Sequence, residues 1–129
     1  MRRNYMEILL DTSFLIAYHN KRDQHHGRAR ELDITDPGIN DYVYTETLNI
    51  VQSRQSHPKA TEYGKYMRKA FKISRVSRPV FRKAVENFQN EDVSFTDASI
   101  TATAQKLNIE KIASFDEDLD KFKGFERIS

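Results

Sequence analysis

The sequence predicts an α/β fold, a three-layer α/β/α arrangement around a central parallel sheet of about four or five strands. Two observations predict it. Short apolar runs alternate along the chain with stretches whose apolar residues recur at helical spacing, the pattern of parallel strands joined by crossover helices. Two of those runs, Leu9-Leu10-Asp11-Thr12-Ser13 and Ile112-Ala113-Ser114-Phe115-Asp116, also end in the same way, on hydroxyl and carboxylate residues. In an open α/β sheet the carboxyl ends of the strands are where ligands bind, so these acids are the first candidates for a site.

The first strand is Glu7-Ile8-Leu9-Leu10, and Asp11 stands at its carboxyl end before a helix. Two readings of Asp11 stand at this point. It is a site acid, or Asp11 or Thr12 caps the helix that follows. Arg28 to Leu32 suggests a second short helix. His25 and His26 precede it, and as sequence neighbours they point in different directions and make poor joint metal ligands; packing or substrate contact suits them better. Asp36-Pro37-Gly38 signals a turn, Ile39 to Tyr44 a second strand, and Thr45 to Arg54 a helix. Val43, Thr47, Ile50 and Val51 form its inward stripe. Glu46 falls on that stripe, and a buried carboxylate needs an Arg, a Lys or a bound cation beside it.

Pro58 suits the first turn of a helix reaching about Ala70, Phe71 to Ser77 alternates as a third strand, and Pro79 opens a helix with Val80, Ala84, Val85 and Phe88 inward. Asn90 to Asp97 leads into another helix, with Ile100, Ala104 and Leu107 on its inner stripe and Asp97 in its first turn, where a helix dipole favours acids. Lys111 to Asp116 is a fourth strand and Gly124 to Ile128 an edge strand.

At 129 residues the chain fits one domain, residues 1–129, with residues 1–5 expected to be a disordered tail. No apolar stretch nears the roughly 20 residues of a membrane span, and the start lacks a signal-peptide pattern, so a cytoplasmic protein without a membrane partner is expected. The absence of cysteine excludes disulfides and thiolate metal sites. The net charge of +2 is unevenly placed. Arg54 to Lys83 holds ten basic residues against Glu62 alone, while the remainder holds eleven basic and eighteen acidic residues. A basic middle on an acidic body points either to contact with a polyanion or to solvated helix faces. On the first reading Lys65, Arg68, Lys69 and Lys72 are candidate RNA contacts.

If the first and fourth strands are neighbours, Asp11 and Asp116 emerge at one edge, and Glu46 and Asp97 can converge on the same cleft. Four carboxylates that close repel one another unless a cation neutralises them. Carboxylate oxygens suit Mg²⁺ or Mn²⁺, which polarise a phosphodiester and activate water.

The segments Leu9 to Ala17, Tyr44-Thr45-Glu46, Phe95 to Ile100 and Ser114-Phe115-Asp116 resemble, in this order and spacing, the PIN domains, most closely the single-domain toxin ribonucleases of the VapBC type. The resemblance implies that Asp11, Glu46, Asp97 and Asp116 are the metal-site acids, with Ser13 and Ser114 as accompanying hydroxyls. Asp118 is placed to replace or assist Asp116. It further implies a Mg²⁺- or Mn²⁺-dependent endoribonuclease acting on RNA, often a homodimer and commonly inhibited by a small antitoxin protein. The basic middle keeps an RNA-processing nuclease outside a toxin system as an alternative, and a non-catalytic RNA-binding module is another.

Overall fold

A computed structural model describes residues 6–129 of the chain; the expected tail at residues 1–5 lies outside them. Five short strands form one sheet in the order β3-β2-β1-β4-β5, with every pairing parallel. They are β1 (Ile8–Leu10), β2 (Pro37–Asn40), β3 (Lys72–Ser74), β4 (Lys111–Ala113) and β5 (Glu126–Ile128). Between them run six helices, α1 (Thr12–His19), α2 (His26–Glu31), α3 (Asp41–Arg54), α4 (His57–Ala70), α5 (Arg78–Asn90) and α6 (Phe95–Leu107), and a 3₁₀ turn at Glu117–Lys121. The three-layer α/β/α fold is as the sequence predicts. Among the described residues no helix is long and apolar enough to cross a membrane.

The strand order reverses direction between β1 and β4, which pair through Ile8 with Lys111, Leu9 with Ile112 and Leu10 with Ala113. Loops leaving the two strands must part to opposite sides there, so their carboxyl ends open a crevice. Asp11 and Ser114 are the next residues on each strand, and the Asp11 N–H still donates to the Ala113 carbonyl at 3.0 Å.

The central strands are apolar throughout because both faces are covered: Leu9, Leu10, Leu15, Ile39, Val43, Ile100 and Ile112 are all within 1% of full burial. α6 contributes Ile100 and Ala104 to this core and presents Ala102 to Val80 and Ala84 of α5.

Several boundaries differ from the expectation. β2 ends at Asn40 and α3 starts at Asp41, four residues earlier than Thr45, because the buried Asn40 side chain caps the helix by accepting the Val43 N–H at 2.9 Å. β3 stops at Ser74, and Ile73 is exposed because this is an edge strand. On α5 the inner stripe is Val80, Ala84 and Asn87, with Phe88 exposed. Asn87 donates to Thr101 Oγ1 and Gln105 Oε1 of α6, at 3.0 and 3.1 Å, so an amide link stands where an apolar contact is predicted. Leu107 is exposed too, as the last residue of α6 before Asn108 turns into the left-handed region at φ 57°.

Candidate functional site

Asp11 terminates the most buried strand and is itself 2% exposed. Its backbone carbonyl begins α1 by accepting the Leu15 N–H, yet its side chain makes no capping bond to the helix. Asp11 is thus the N-cap of α1 by position only, and its carboxylate is not spent on capping. Oδ2 accepts from both Ser13 Oγ (2.9 Å) and Ser114 Oγ (2.7 Å). Each hydroxyl then uses its lone pairs on the β4 loop: Ser13 Oγ accepts the Phe115 N–H across the gap, and Ser114 Oγ accepts the Asp116 N–H within its own loop. The two serines thus fix one carboxylate oxygen and stitch the β4 loop to the start of α1. The other oxygen, Oδ1, is buried with no hydrogen-bond partner among the described residues.

Asp97 arrives from the far side on the third residue of α6. Capping there is performed by Ser94, whose Oγ accepts the Asp97 N–H at 3.0 Å, so the Asp97 carboxyl remains available. α6 is held against the end of β2 by Asn40, whose Nδ2 donates to Ser99 Oγ and Thr103 Oγ1. Asp116 caps the 3₁₀ turn by accepting the Asp118 N–H on Oδ1. One carboxylate oxygen from each of Asp11, Asp97 and Asp116 lies within 4.8 Å of the others.

The electrostatics follow from burial and crowding. Desolvation raises the Asp11 carboxyl above its ordinary range, with the two serine bonds opposing the rise. Asp97 is pushed up to about 8, first by burial, then by the Asp11 charge, the hydrogen bond to Asp116 and the charges of Asp116 and Glu46. Burial and the neighbouring carboxylates thus favour the protonated form of Asp97, which hydrogen-bonds Asp116.

These residues fit a divalent cation. The donors are all oxygens, three converge from three elements, and the orphaned Asp11 Oδ1 is a buried acceptor that a cation would satisfy. Glu46 lines the same cleft, of ≈ 610 Å³. It is half-buried at the rim, outside the three-oxygen cluster, and no ion pair reaches it among the described residues. It sits outside the buried stripe because Val43, Thr47 and Val51 take the inward face of α3.

The PIN-domain profile matches residues 8–124 of the chain. The chain belongs to the PIN-domain family. This family is one of nucleases, and solved structures with the same PIN fold are VapC toxins. The crystal structure of Mycobacterium tuberculosis VapC20, a sarcin–ricin loop cleaving toxin, is 26% identical at a TM-score of 0.80, covering 88% of this chain and 93% of that one. A toxin–antitoxin complex from Klebsiella pneumoniae is 20% identical at a TM-score of 0.70, covering 95% and 96%. DNA-bound VapBC from Salmonella typhimurium is 10% identical at a TM-score of 0.76, covering 96% and 98%. No curated protein matches the chain by sequence.

Within this PIN domain Asp118 also lines the cleft, but its carboxylate pairs with Lys121 at 3.4 Å, and Asp116 supplies the clustered oxygen. Lys65, Arg68, Lys69 and Lys72 do not line the cleft. Arg68 and Lys69 close α4, which enters the amino end of β3 after Phe71, while the acids stand at the carboxyl ends of β1 and β4. Arg68 donates to the Tyr44 hydroxyl.

Several residues that shape or line the cleft escape a reading of the sequence. Asn40 and Ser94 position α3 and α6, and Ser94 is signalled only by its place three residues before Asp97. Arg54 lines the cleft but is one of ten cations in a basic run. His25 stacks flat on Phe115, with centroids 4.4 Å apart and planes 4° from parallel, so of its two expected uses the packing is present. His26 Nδ1 bonds the Ala17 carbonyl at 2.7 Å and binds α2 to α1.

Proposed function

We propose that this PIN domain is a divalent-metal-dependent endoribonuclease that hydrolyses RNA phosphodiester bonds, and that it is the toxin of a toxin–antitoxin pair. The observation that carries the reading is the meeting of Asp11, Asp97 and Asp116 oxygens within 4.8 Å, with Asp11 Oδ1 buried and unsatisfied. Asp11, Asp97 and Asp116 would hold Mg²⁺ or Mn²⁺, with Glu46 at the rim. When bound, the ion polarises the scissile phosphate and makes water acidic enough to attack at neutral pH.

The chain's own residues prepare that step. Ser13 and Ser114 hold Asp11 in one orientation, so its free oxygen faces the cleft without rotamer loss on binding. Asp97, whose carboxyl is pushed up by burial and then by the Asp11 charge, would have to give up its proton to serve as a ligand. Glu46 lines the cleft, half-buried, and is a candidate to accept a proton from an attacking water. The cations Lys65, Arg68, Lys69 and Lys72 stand apart from the cleft, and their part is longer-range attraction of the polyanion.

The toxin–antitoxin complexes among the similar structures support a small antitoxin as partner, and a homodimer is the expected working form. The activity is expected in the cytoplasm, where RNA and such a partner would be met. The test is cleavage of a mixed RNA pool by EDTA-treated protein before and after adding Mn²⁺. Cleavage that appears only with Mn²⁺, and growth arrest on expression that a co-expressed small partner relieves, would support the toxin. Metal-dependent cleavage without growth arrest would favour RNA processing, and RNA binding without cleavage would favour a binding module.

A further inference from the structure

A second cavity of ≈ 380 Å³ adjoins the acidic cleft, and the two share Ile16, Ile50 and Arg54 as a common wall. Its polar lining is His19 and Asn20 at the end of α1, Lys21 and Arg22 in the turn that follows, and Arg54 and Gln55 at the end of α3. No acid lines it. The turn is set by Asn20, whose Oδ1 accepts the Arg22 N–H and whose carbonyl accepts the Asp23 N–H, both at 3.0 Å. His19 packs its ring on Tyr63 at 4.2 Å. Burial holds His19 below its ordinary range, so the cavity's charge rests on Lys21, Arg22 and Arg54.

Among the described residues, none of these three side chains has an ion pair or hydrogen bond. The dipole of α3 accounts for one cation at its carboxyl end. It does not account for two more brought to the same cavity from a different element, where like charges raise one another's energy unless an anion enters. The acidic cleft supplies the complement. Asp23, Glu46 and Asp118 around it repel the phosphates on either side of a bound one, and among the described residues Arg54 is the one Arg or Lys in its lining. A strand with one phosphate at the acids therefore leaves most favourably over Arg54.

We infer that the cavity between the α1–α2 turn and the end of α3 is a phosphate subsite, where Lys21, Arg22 and Arg54 hold a backbone phosphate of the RNA next to the one being cut. The inference rests on the nuclease reading and adds to it the direction in which the strand runs. It also assigns close contact to cations outside the α4 face.

The test measures anisotropy of a short fluorescein-labelled single-stranded RNA on the full chain across a salt series, with Ca²⁺ present as an oxygen-binding cation to neutralise the acids. Lys21→Gln/Arg22→Gln, both exposed in the turn, strips two of the three cations from that one phosphate and should flatten the salt slope by about 0.7 and weaken binding about 5-fold at 0.1 M salt, from about 0.7 per lost phosphate contact. Lys106→Gln/Lys123→Gln removes the same charge from exposed positions that line neither cavity and should leave slope and affinity near wild type. Equal losses in the two double variants, or an unchanged slope in Lys21→Gln/Arg22→Gln, overturn the inference. If wild type still cleaves RNA with Mn²⁺ in that case, the nuclease reading survives alone. A wild type that neither binds nor cleaves RNA overturns both.

Discussion

Asp97→Asn separates a metal ligand from a helix-capping acid, because the two roles predict opposite changes in stability. In the metal-free protein the Asp97 carboxyl is pushed from its ordinary 3.8 up to about 8. At pH 7 folding must therefore drive a proton onto a group that is ionised in the unfolded chain. The full shift corresponds to at most about 4 kcal/mol at that pH, and screening through the open side of the cleft reduces it to about 1–3 kcal/mol. Asparagine carries no such cost, and its amide can donate to Asp116 as the protonated carboxyl does. Asp97→Asn should therefore raise Tm in EDTA by about 3–10 °C for a domain of this size.

The sign fixes the pH course. A raised acid contributes nothing below its unfolded value, then lowers stability progressively until pH passes its folded value. The advantage of Asp97→Asn should thus be near zero at pH 4, grow to about pH 8 and level off. Saturating Mn²⁺ should reverse the order, since a ligand at about 100 times its Kd adds about 2.7 kcal/mol to wild type and less to a site short of one charge. Paired thermal melts across pH, with EDTA or Mn²⁺, read all of this. A variant less stable than wild type in EDTA by the same amount at every pH, with an unchanged Mn²⁺ gain, would refute the reasoning and return Asp97 to helix capping.

Ser114→Ala removes the 2.7 Å donor to Asp11 and the acceptor of the Asp116 N–H; Mn²⁺ affinity by calorimetry should fall about 10- to 100-fold, as for other residues that orient metal ligands. Asn40→Ala strips the cap of α3 and leaves Ser99 and Thr103 without their buried donor, and urea melts should show a loss of about 2–4 kcal/mol. Wild-type Mn²⁺ affinity should climb with pH until about 8 and then plateau, because the Asp97 proton must leave first; calorimetry in buffers of different ionisation enthalpy should detect the released proton. Below about pH 6.5 His19, stacked on Tyr63 and lowered by burial, must gain charge on unfolding before it does so in the fold, so a His19→Gln variant should lose less stability than wild type between pH 7 and pH 5.

The fold was legible because alternation of strand and helix and the paired strand endings are properties of local sequence, and the sheet order places Asp11 and Ser114 as that alternation implies. The acids of the cluster were legible for the same reason: each sits at a strand end or a helix start. Less legible was how each helix is rotated. Asn87 reads as a surface residue, yet it faces Thr101, and this turns Phe88 outward. Asn40 and Ser94 cap α3 and α6, but a polar residue before an apolar stretch has many alternatives in a sequence this rich in Asp, Asn and Ser. Glu46 illustrates the limit of periodicity: the spacing puts it among buried residues, and a rotation of one position leaves it at the rim with the cleft before it. The basic run misleads in another way, since charge counted along the chain does not reveal that α4 ends at the sheet edge opposite the acids.

The most direct test of the central claim is Mn²⁺-dependent RNA cleavage by wild type and Asp11→Asn, each stripped with EDTA and then titrated with the metal. Asp11 is chosen because its Oδ1 is the buried, unsatisfied acceptor and its Oδ2 is held by two serines. The account predicts no cleavage in EDTA, cleavage by wild type as Mn²⁺ is restored, and a loss of several orders of magnitude in Asp11→Asn, with Tm in EDTA unchanged or raised. Cleavage by wild type in EDTA at its full rate, or an Asp11→Asn protein that cuts RNA as fast as wild type with Mn²⁺, would contradict it.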